Sequence, residues 1–429
     1  MSGPATMRWA SAASREADPL LAAAEVAERL REALGEGAVD LALAFFTPPH
    51  VAAAEVLGEA LRERLTPGTF AAASAHGAIS TAHEFESGPC LSVIAARMPG
   101  VGLHPFILLN QEWGEAGADP AAFAQMAPGV TGAELVLLMG DPFSLDAERV
   151  LNAFHHRARG VRVVGGMASA GARPGTNVLI LNDWVSHEGG IGLALAGALR
   201  ADVIVSQGCR PVGPALEVTE VEGNLVCALD GLPALERAEQ VLKALPETER
   251  DRLRHGLYVG RPARGAAAGP GDWLIRNLLG ADRERGALAV GDLLGAREKI
   301  RFHVRDAGTA REVLELLLSP QVVDVAPSAA LLFACNGRGQ GLHGRPDGDI
   351  SLLQCAFGAP VPAAGMFCAG EIGPVGERNF VHGHTASIAL LRPSCRVCPF
   401  TRQRIAIPGS TSAYFDSVSI HGPQQAKVS

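Results

Sequence analysis

DLALAFF (Asp40–Phe46), VAAAEVLGEALRERL (Val51–Leu65) and FAAASAHGAIS (Phe70–Ser80) follow one another near the start of the chain, and their order decides how the rest is read. A continuous apolar run, a stretch of helical periodicity and a second apolar run ending at a glycine predict a buried strand, an amphipathic helix and a return strand. A third strand is predicted over Cys90–Ala96. The same order recurs in ELVLLM (Glu134–Met139), Asp146–Arg159 and VRVVGGMASAG (Val161–Gly171), followed by Asn177–Asn182 and Gly190–Leu199. It recurs again in AALLFAC (Ala329–Cys335), a link containing Asp349–Phe357, VPAAGMFCAGEIG (Val361–Gly373) and HTASIALLR (His384–Arg392). The offset between first and second strand is about 30 residues each time, enough for a strand, a helix and a return strand.

A parallel neighbour needs a long crossover, so strand–helix–strand units predict an α/β fold of repeated units forming mixed, mainly parallel sheets. An antiparallel insert is predicted in the middle. Asp202–Leu229 alternates polar and apolar residues and turns at Glu222-Gly223-Asn224, which marks a hairpin. Leu232–Ala244 reads as a helix entered at Pro233. The polar, Gly- and Arg-punctuated Pro246–Gly271 reads as a surface connection, and the residues after Arg392 as a poorly ordered tail.

Composition narrows the function. The 429 residues are 48% hydrophobic, and 37 Lys+Arg against 45 Asp+Glu leave a net charge of -8. No basic block is present to neutralise phosphates, so a nucleic-acid partner is not expected. No apolar run approaches the roughly 20 residues of a membrane-spanning helix, so no membrane partner is expected. The first residues lack a charged segment followed by an apolar core, and eight scattered cysteines suit free thiols, so a cytoplasmic protein is expected.

Polar residues collect in three glycine-rich stretches. The densest runs from Gly365 to Thr385 and offers Cys368, Gly370, Glu371, Arg378, Asn379, His382 and His384 as ligand contacts. A carboxylate, a guanidinium and an amide together suit a zwitterion such as an amino acid. A second stretch, Cys335–Gly344, follows a predicted strand and contributes Asn336, Arg338 and Gly339, since ligands gather at the carboxyl ends of strands. A third, Gln207–Gly213, contributes Arg210, which reaches either an anion or a surface acid. None has dinucleotide or P-loop spacing, so no cofactor is expected. Cys395-x-x-Cys398 is half a zinc site, and no metal is expected. The alternative is an enzyme that uses Cys368 or Glu371 with a histidine in the same pocket.

GGMASAG (Gly165–Gly171), GGIGLALAG (Gly189–Gly197), GCRPVGPALEVTEVEGNLVCALDGLPAL (Gly208–Leu235), NGRG (Asn336–Gly339) and GMFCAGEIGPVGERNFVHGHTASIAL (Gly365–Leu390) resemble a FIST-domain protein. The resemblance covers about Asp40 to Arg392. It implies a sensory module of signal transduction that binds small ligands, amino acids among them, and passes its output through a protein partner. Its expected layout is an N-terminal extension and helix (1–36), a FIST N-terminal α/β domain (37–200), a FIST C-terminal domain (201–392) and a tail (393–429). Oligomeric state is left open.

Overall fold

The computed structural model describes residues 7–109, 113, 119–263 and 273–394. The predicted tail lies outside these residues from 395 onward, as does the Cys395/Cys398 pair. Three six-stranded sheets carry the repeat. The first runs β1 (Arg8–Ser14), β6 (Leu91–Arg97), β2 (Leu41–Phe46), β3 (Thr69–Ser74), β10 (Leu179–Leu181), β11 (Trp184–Ser186). The second runs β7 (Val101–Leu108), β12 (Gly190–Gly197), β8 (Leu135–Gly140), β9 (Val163–Met167), β23 (Glu371–Val375), β24 (Arg378–His382). The third runs β13 (Leu199–Gln207), β25 (Thr385–Pro393), β21 (Ala329–Cys335), β22 (Ala363–Cys368), β4 (Ala78–Ile79), β5 (Glu84–Phe85).

The three sheets share one plan. In each, a central strand pairs in parallel with its return strand, while the third strand of the unit lies antiparallel on the other side. The last two strands of each sheet are a hairpin lent by a different unit. The hairpin after β3 joins the third sheet, that after β9 joins the first, and that after β22 joins the second. The exchange is cyclic.

That plan corrects the expectation of mainly parallel sheets. Among the described residues only β2–β3, β8–β9 and β21–β22 pair in parallel. A helical crossover joins the parallel pair once per unit; the two strands of each lent hairpin follow a short turn, and the neighbours reached through longer connections, β6 on β2, β12 on β8 and β25 on β21, also run antiparallel.

Helices cover the outer faces. α1 (Pro19–Leu34) and α2 (Ala54–Leu65) bury Val26, Leu30, Leu57 and Leu61 on the first sheet. α3 (Pro120–Met126) and α4 (Ala147–Arg157) bury Phe123, Val150 and Phe154 on the second. The inner faces of all three sheets meet in one core that joins Leu43, Phe45, Leu137, Met139, Leu331, Phe333 and Cys368.

The middle insert is antiparallel, as read, and larger than read. β14 (Cys209–Glu222), β20 (Lys299–Arg305), β17 (Leu257–Pro262), β18 (Trp273–Asp282), β19 (Ala287–Val290) and β15 (Leu225–Leu229) follow in order, with β16 (Leu232–Pro233) beside β15. β14 also pairs with β15, which closes the sheet into a barrel. α5 (Ala234–Lys243) packs Ala234, Ala238 and Val241 into the barrel core, with Pro233 as its N-cap rather than its first residue. The stretch read as a surface connection contains α6 (Glu247–Arg250) and β17, which sits between β20 and β18. Its buried run Val259–Arg261 is short and ends in an arginine, which hid it among the polar residues around it. α7 (Ala307–Leu318), α8 (Gly339–His343) and α9 (Gly348–Phe357) complete the third unit, with Leu314, Leu318, Ile350 and Leu353 in its outer core.

Candidate functional site

The glycine-rich loop after β21 and the helix start that follows it have backbone amides bonded by carboxylates of the chain itself. Glu84 of the exchanged hairpin accepts from the N–H groups of Asp349 at 2.8 Å and Ile350 at 2.7 Å, the start of α9. Glu86 accepts from Gln340 N–H at 2.8 Å, at the start of α8. Carboxylates are the groups a helix N-terminus favours, and the chain supplies its own. Gly339 is required here: its φ is +57° and a Cβ would stand 2.5 Å from the Glu86 carboxyl carbon.

Arg338, expected as a ligand contact, is engaged within the protein. It is 1% exposed and forms a two-pronged pair with Asp349, Nε to Oδ2 at 2.7 Å and Nη2 to Oδ1 at 2.6 Å. His343 Nε2 adds a 3.1 Å contact to Oδ1. Burial opposes ionisation of Asp349, but the guanidinium outweighs it and holds the carboxyl below the ordinary carboxylate range.

A different group of side chains gathers where the third unit meets the barrel. Glu371 opens β23 and is fully buried. Its Oε2 accepts from Thr385 N–H at 3.1 Å and Thr385 Oγ1–H at 2.8 Å, whereas Oε1 has no hydrogen-bond partner. Burial pushes this carboxyl up to about 8 despite the Thr385 bonds, which favours its protonated form at neutral pH. The Cys335 thiol acts on the same carboxyl; burial and then Glu371 push that thiol up to about 12. Cys335 and Cys368 are register partners on β21 and β22. Burial, then Glu371, raises Cys368 well above the ordinary thiol range. Two protonated thiols beside a neutral acid are poor nucleophiles, which removes the support for thiol catalysis.

His384 faces this group with φ +62° and its ring 4.1 Å from that of Tyr258 on β17. Nε2 lies 3.1 Å from Asn277 Oδ1, which leaves buried Nδ1 as a bare acceptor. Burial, reinforced by Arg305 and Arg338, lowers His384 to about 4, so the ring is neutral. Arg305, at the end of β20, donates to Gly337 O, interacts with the Tyr258 hydroxyl, and forms no ion pair with a carboxylate among the described residues. A Cβ on Gly337 would sit 3.4 Å from His384 Nδ1 and 3.7 Å from Cys335 Sγ, ordinary contact distances, so Gly337 lies directly against both groups.

The other expected contacts are dispersed. Arg378 pairs with Val375 at the tip of the β23–β24 hairpin, while Glu371 pairs with His382 at its base. Four residues of strand separate Glu371 from that tip, roughly 13 Å, too far for one small ligand. Asn379 Oδ1 accepts from Val163 N–H at 2.9 Å and its Nδ2 donates to Val161 O at 2.8 Å, which ties the hairpin to the second sheet. Gly370 O accepts from Met167 N–H at 2.8 Å. His382 is buried with Nε2 3.0 Å from Gly373 O, and burial lowers it to about 4. Asn336 is exposed, and its N–H donates to Cys368 O at 2.9 Å. Arg210 lies on the barrel surface, 4.0 Å from Glu249 and 3.9 Å from Asp306. Of the expected residues, Cys368, Glu371 and His384 belong to the group at the barrel. Cys335, Tyr258, Asn277 and Arg305 were missed as contacts; a cysteine at the end of a predicted strand was the signal available for the first, and the others lie in a barrel whose extent was not read.

These groups set a pH dependence. Glu371 is raised from an ordinary 4.5 to about 8, so its contribution to stability is complete below 4.5 and is lost as pH rises toward 8. His382 and His384, lowered from 6.5 to about 4, contribute above 6.5 and lose that contribution as pH falls toward 4. Glu371→Gln is therefore expected to gain stability relative to the native chain progressively between pH 4.5 and 8 in urea unfolding. A difference independent of pH would show that the buried carboxyl is not neutral in the fold.

Two cavities lie away from this group. One, about 480 Å³, is an open groove lined by Phe106, Ile107, Met126 and Leu181; the other, about 110 Å³, lies at the ends of α1 and α2. No cluster of metal-ligating side chains occurs among the described residues, and no helix among them is long and apolar enough to cross a membrane.

Comparison with known proteins covers most of the repeat, up to the start of the β23–β24 hairpin. The FIST N domain matches residues 40–232 and the FIST C domain residues 234–374. The chain belongs to the FIST family. An uncharacterised Mycobacterium tuberculosis protein is 34% identical over 388 residues, 90% of this chain and 99% of its own. An uncharacterised Mycobacterium bovis protein is 34% identical over 377 residues, 87% and 96% of the two chains. A solved cyanuric acid hydrolase aligns over 91% of this FIST protein and 100% of its own chain, at 9% identity and a TM-score of 0.30, too slight to bear on function. FIST domains are associated with sensory roles in signal transduction, so the three-unit core and its barrel form a protein of a signalling family.

Proposed function

We propose that this FIST protein is a small-ligand sensor of intracellular signal transduction whose seat lies among Cys335, Gly337, Glu371, His384, Tyr258 and Arg305. The observation that carries the reading is the coincidence, in one buried group, of two polar atoms without partners, Glu371 Oε1 and His384 Nδ1, with a guanidinium that has no carboxylate partner. Buried polar atoms are almost always paired, so unpaired ones mark where a further partner belongs. Arg305 and the Tyr258 hydroxyl suit a carboxylate, and the bare His384 nitrogen suits an ammonium group. An amino acid or related metabolite fits that set. Because the loop amides are filled from within, entry requires Gly337 and its neighbours to shift, and that shift is what an output protein partner would read.

The test is calorimetric titration with each of the twenty amino acids, beside native mass spectrometry of protein purified from cells. One amino acid should bind. Gly337→Ala adds a methyl at ordinary contact distance, so the fold should survive while affinity falls at least tenfold, about 1.4 kcal/mol. Arg305→Gln should cost about 1.5–3 kcal/mol of binding. Unchanged affinity in both variants would overturn the seat. A native chain that binds no amino acid and carries no small molecule would overturn the sensor.

A further inference from the structure

We propose that the end of the first sheet at which β2 and β3 begin carries a binding site for a small tetrahedral oxyanion, separate from the Glu371 group. The cavity of about 110 Å³ is lined by Arg31, Arg64 and Arg97 together with Gly35, Gly37 and Thr66, and by no acidic residue. Three guanidiniums facing one space stand out in a chain of net charge -8.

Two of the three have nothing to pair with. Arg31 lies in the last turn of α1 and Arg64 in the last turn of α2, and neither makes a side-chain hydrogen bond or ion pair among the described residues. Arg97 frames the space: its Nη2 donates to Gly35 O and, at 2.8 Å, to Gly37 O, while its buried Nε has no partner.

The helix ends do not account for the arginines. Arg31 O already accepts from Gly35 N–H at 2.8 Å, and Arg62 O from Thr66 N–H at 2.8 Å. Each helix C-terminus carries about half a negative charge, less in total than three guanidiniums. Of the acids beside it in the chain, Asp40 is bonded to Met98 N–H at 2.5 Å and Glu36, between Gly35 and Gly37, is exposed; neither lines the cavity.

The cavity has room for a tetrahedral oxyanion: the space open to a water-sized sphere is about 110 Å³, and one water needs roughly 10–15 Å³ of such space. Guanidinium forks match phosphate oxygens in pairs. The shared chemistry is a phosphate group, either as the free ion or as the head of a monoester whose remainder passes exposed Arg31.

The test is calorimetric titration of the full chain with inorganic phosphate and, separately, glycerol phosphate, with ionic strength held constant by chloride. Saturable phosphate binding is expected. Arg31→Gln and Arg64→Gln should each weaken it at least fivefold and the double variant more than tenfold, with the melting temperature in phosphate-free buffer unchanged, because neither side chain has a partner to lose. Equal affinity for the two probes supports free phosphate as occupant; tighter glycerol phosphate supports a monoester. A native chain with no saturable response to either probe, or a double variant that binds as the native chain does, overturns the site.

Discussion

Gly365→Ala is expected to destabilise the protein by more than about 3 kcal/mol, above the usual 1–3 kcal/mol for an overpacked side chain. The reason is that the obstacle is backbone. A Cβ at Gly365 would stand 1.7 Å from Leu332 O and 2.7 Å from Leu332 C, its register partner on β21. The same position on the second unit shows the same restriction: a Cβ on Gly165 would stand 1.8 Å from Leu138 O. No rotamer change relieves such a clash, and β22 is held on its other side by the exchanged strand β4, where Gly365 pairs with Ile79. Urea unfolding should show the loss, with Gly280→Ala, which meets nothing within 4 Å, as the control that stays within about 0.5 kcal/mol. A Gly365→Ala protein within 1 kcal/mol of native would mean that the strands separate more easily than their register implies.

Breaking the Arg338–Asp349 pair is the second large effect. Asp349→Ala leaves a guanidinium that is 1% exposed without its carboxylate, and such an orphaned buried charge costs about 3–5 kcal/mol. Arg338→Met with Asp349→Leu is expected to recover most of that, because an apolar pair has no desolvation to overcome. The comparison separates a buried charge from a ligand contact. If Asp349→Ala unfolded at the native urea midpoint while amino-acid affinity collapsed, Arg338 would belong to the seat after all.

Much of the fold was legible because it depends on local pattern. Leu41–Phe46, Leu135–Gly140 and Ala329–Cys335 are apolar throughout and each precedes a helix and a return strand, so the units and their central parallel pairs followed from periodicity. The hairpin turn at Glu222–Asn224 was equally local. Neighbours contributed by other units were not legible. Nothing in the residues Ala78–Phe85 says that they pair in the third sheet, some 280 residues away by way of β22, because a two-residue strand has the same composition whichever sheet receives it.

The candidate site divides along the same line. Sequence alone determined that Glu371, Cys368 and His384 sit by glycine-rich turns at strand ends, where ligands collect, and that the chain is built like a FIST protein. Only the tertiary structure decided what those residues face. Exchange of the hairpin brought Glu84 and Glu86 onto the loop amides and removed them from service. Closure of the barrel brought Tyr258 and Arg305 to His384. Extended geometry carried Arg378 away from Glu371 although only seven positions separate them in the chain. Sequence spacing measures distance along the backbone, whereas charge, burial and hydrogen bonding act through space, and three exchanged hairpins separate the two.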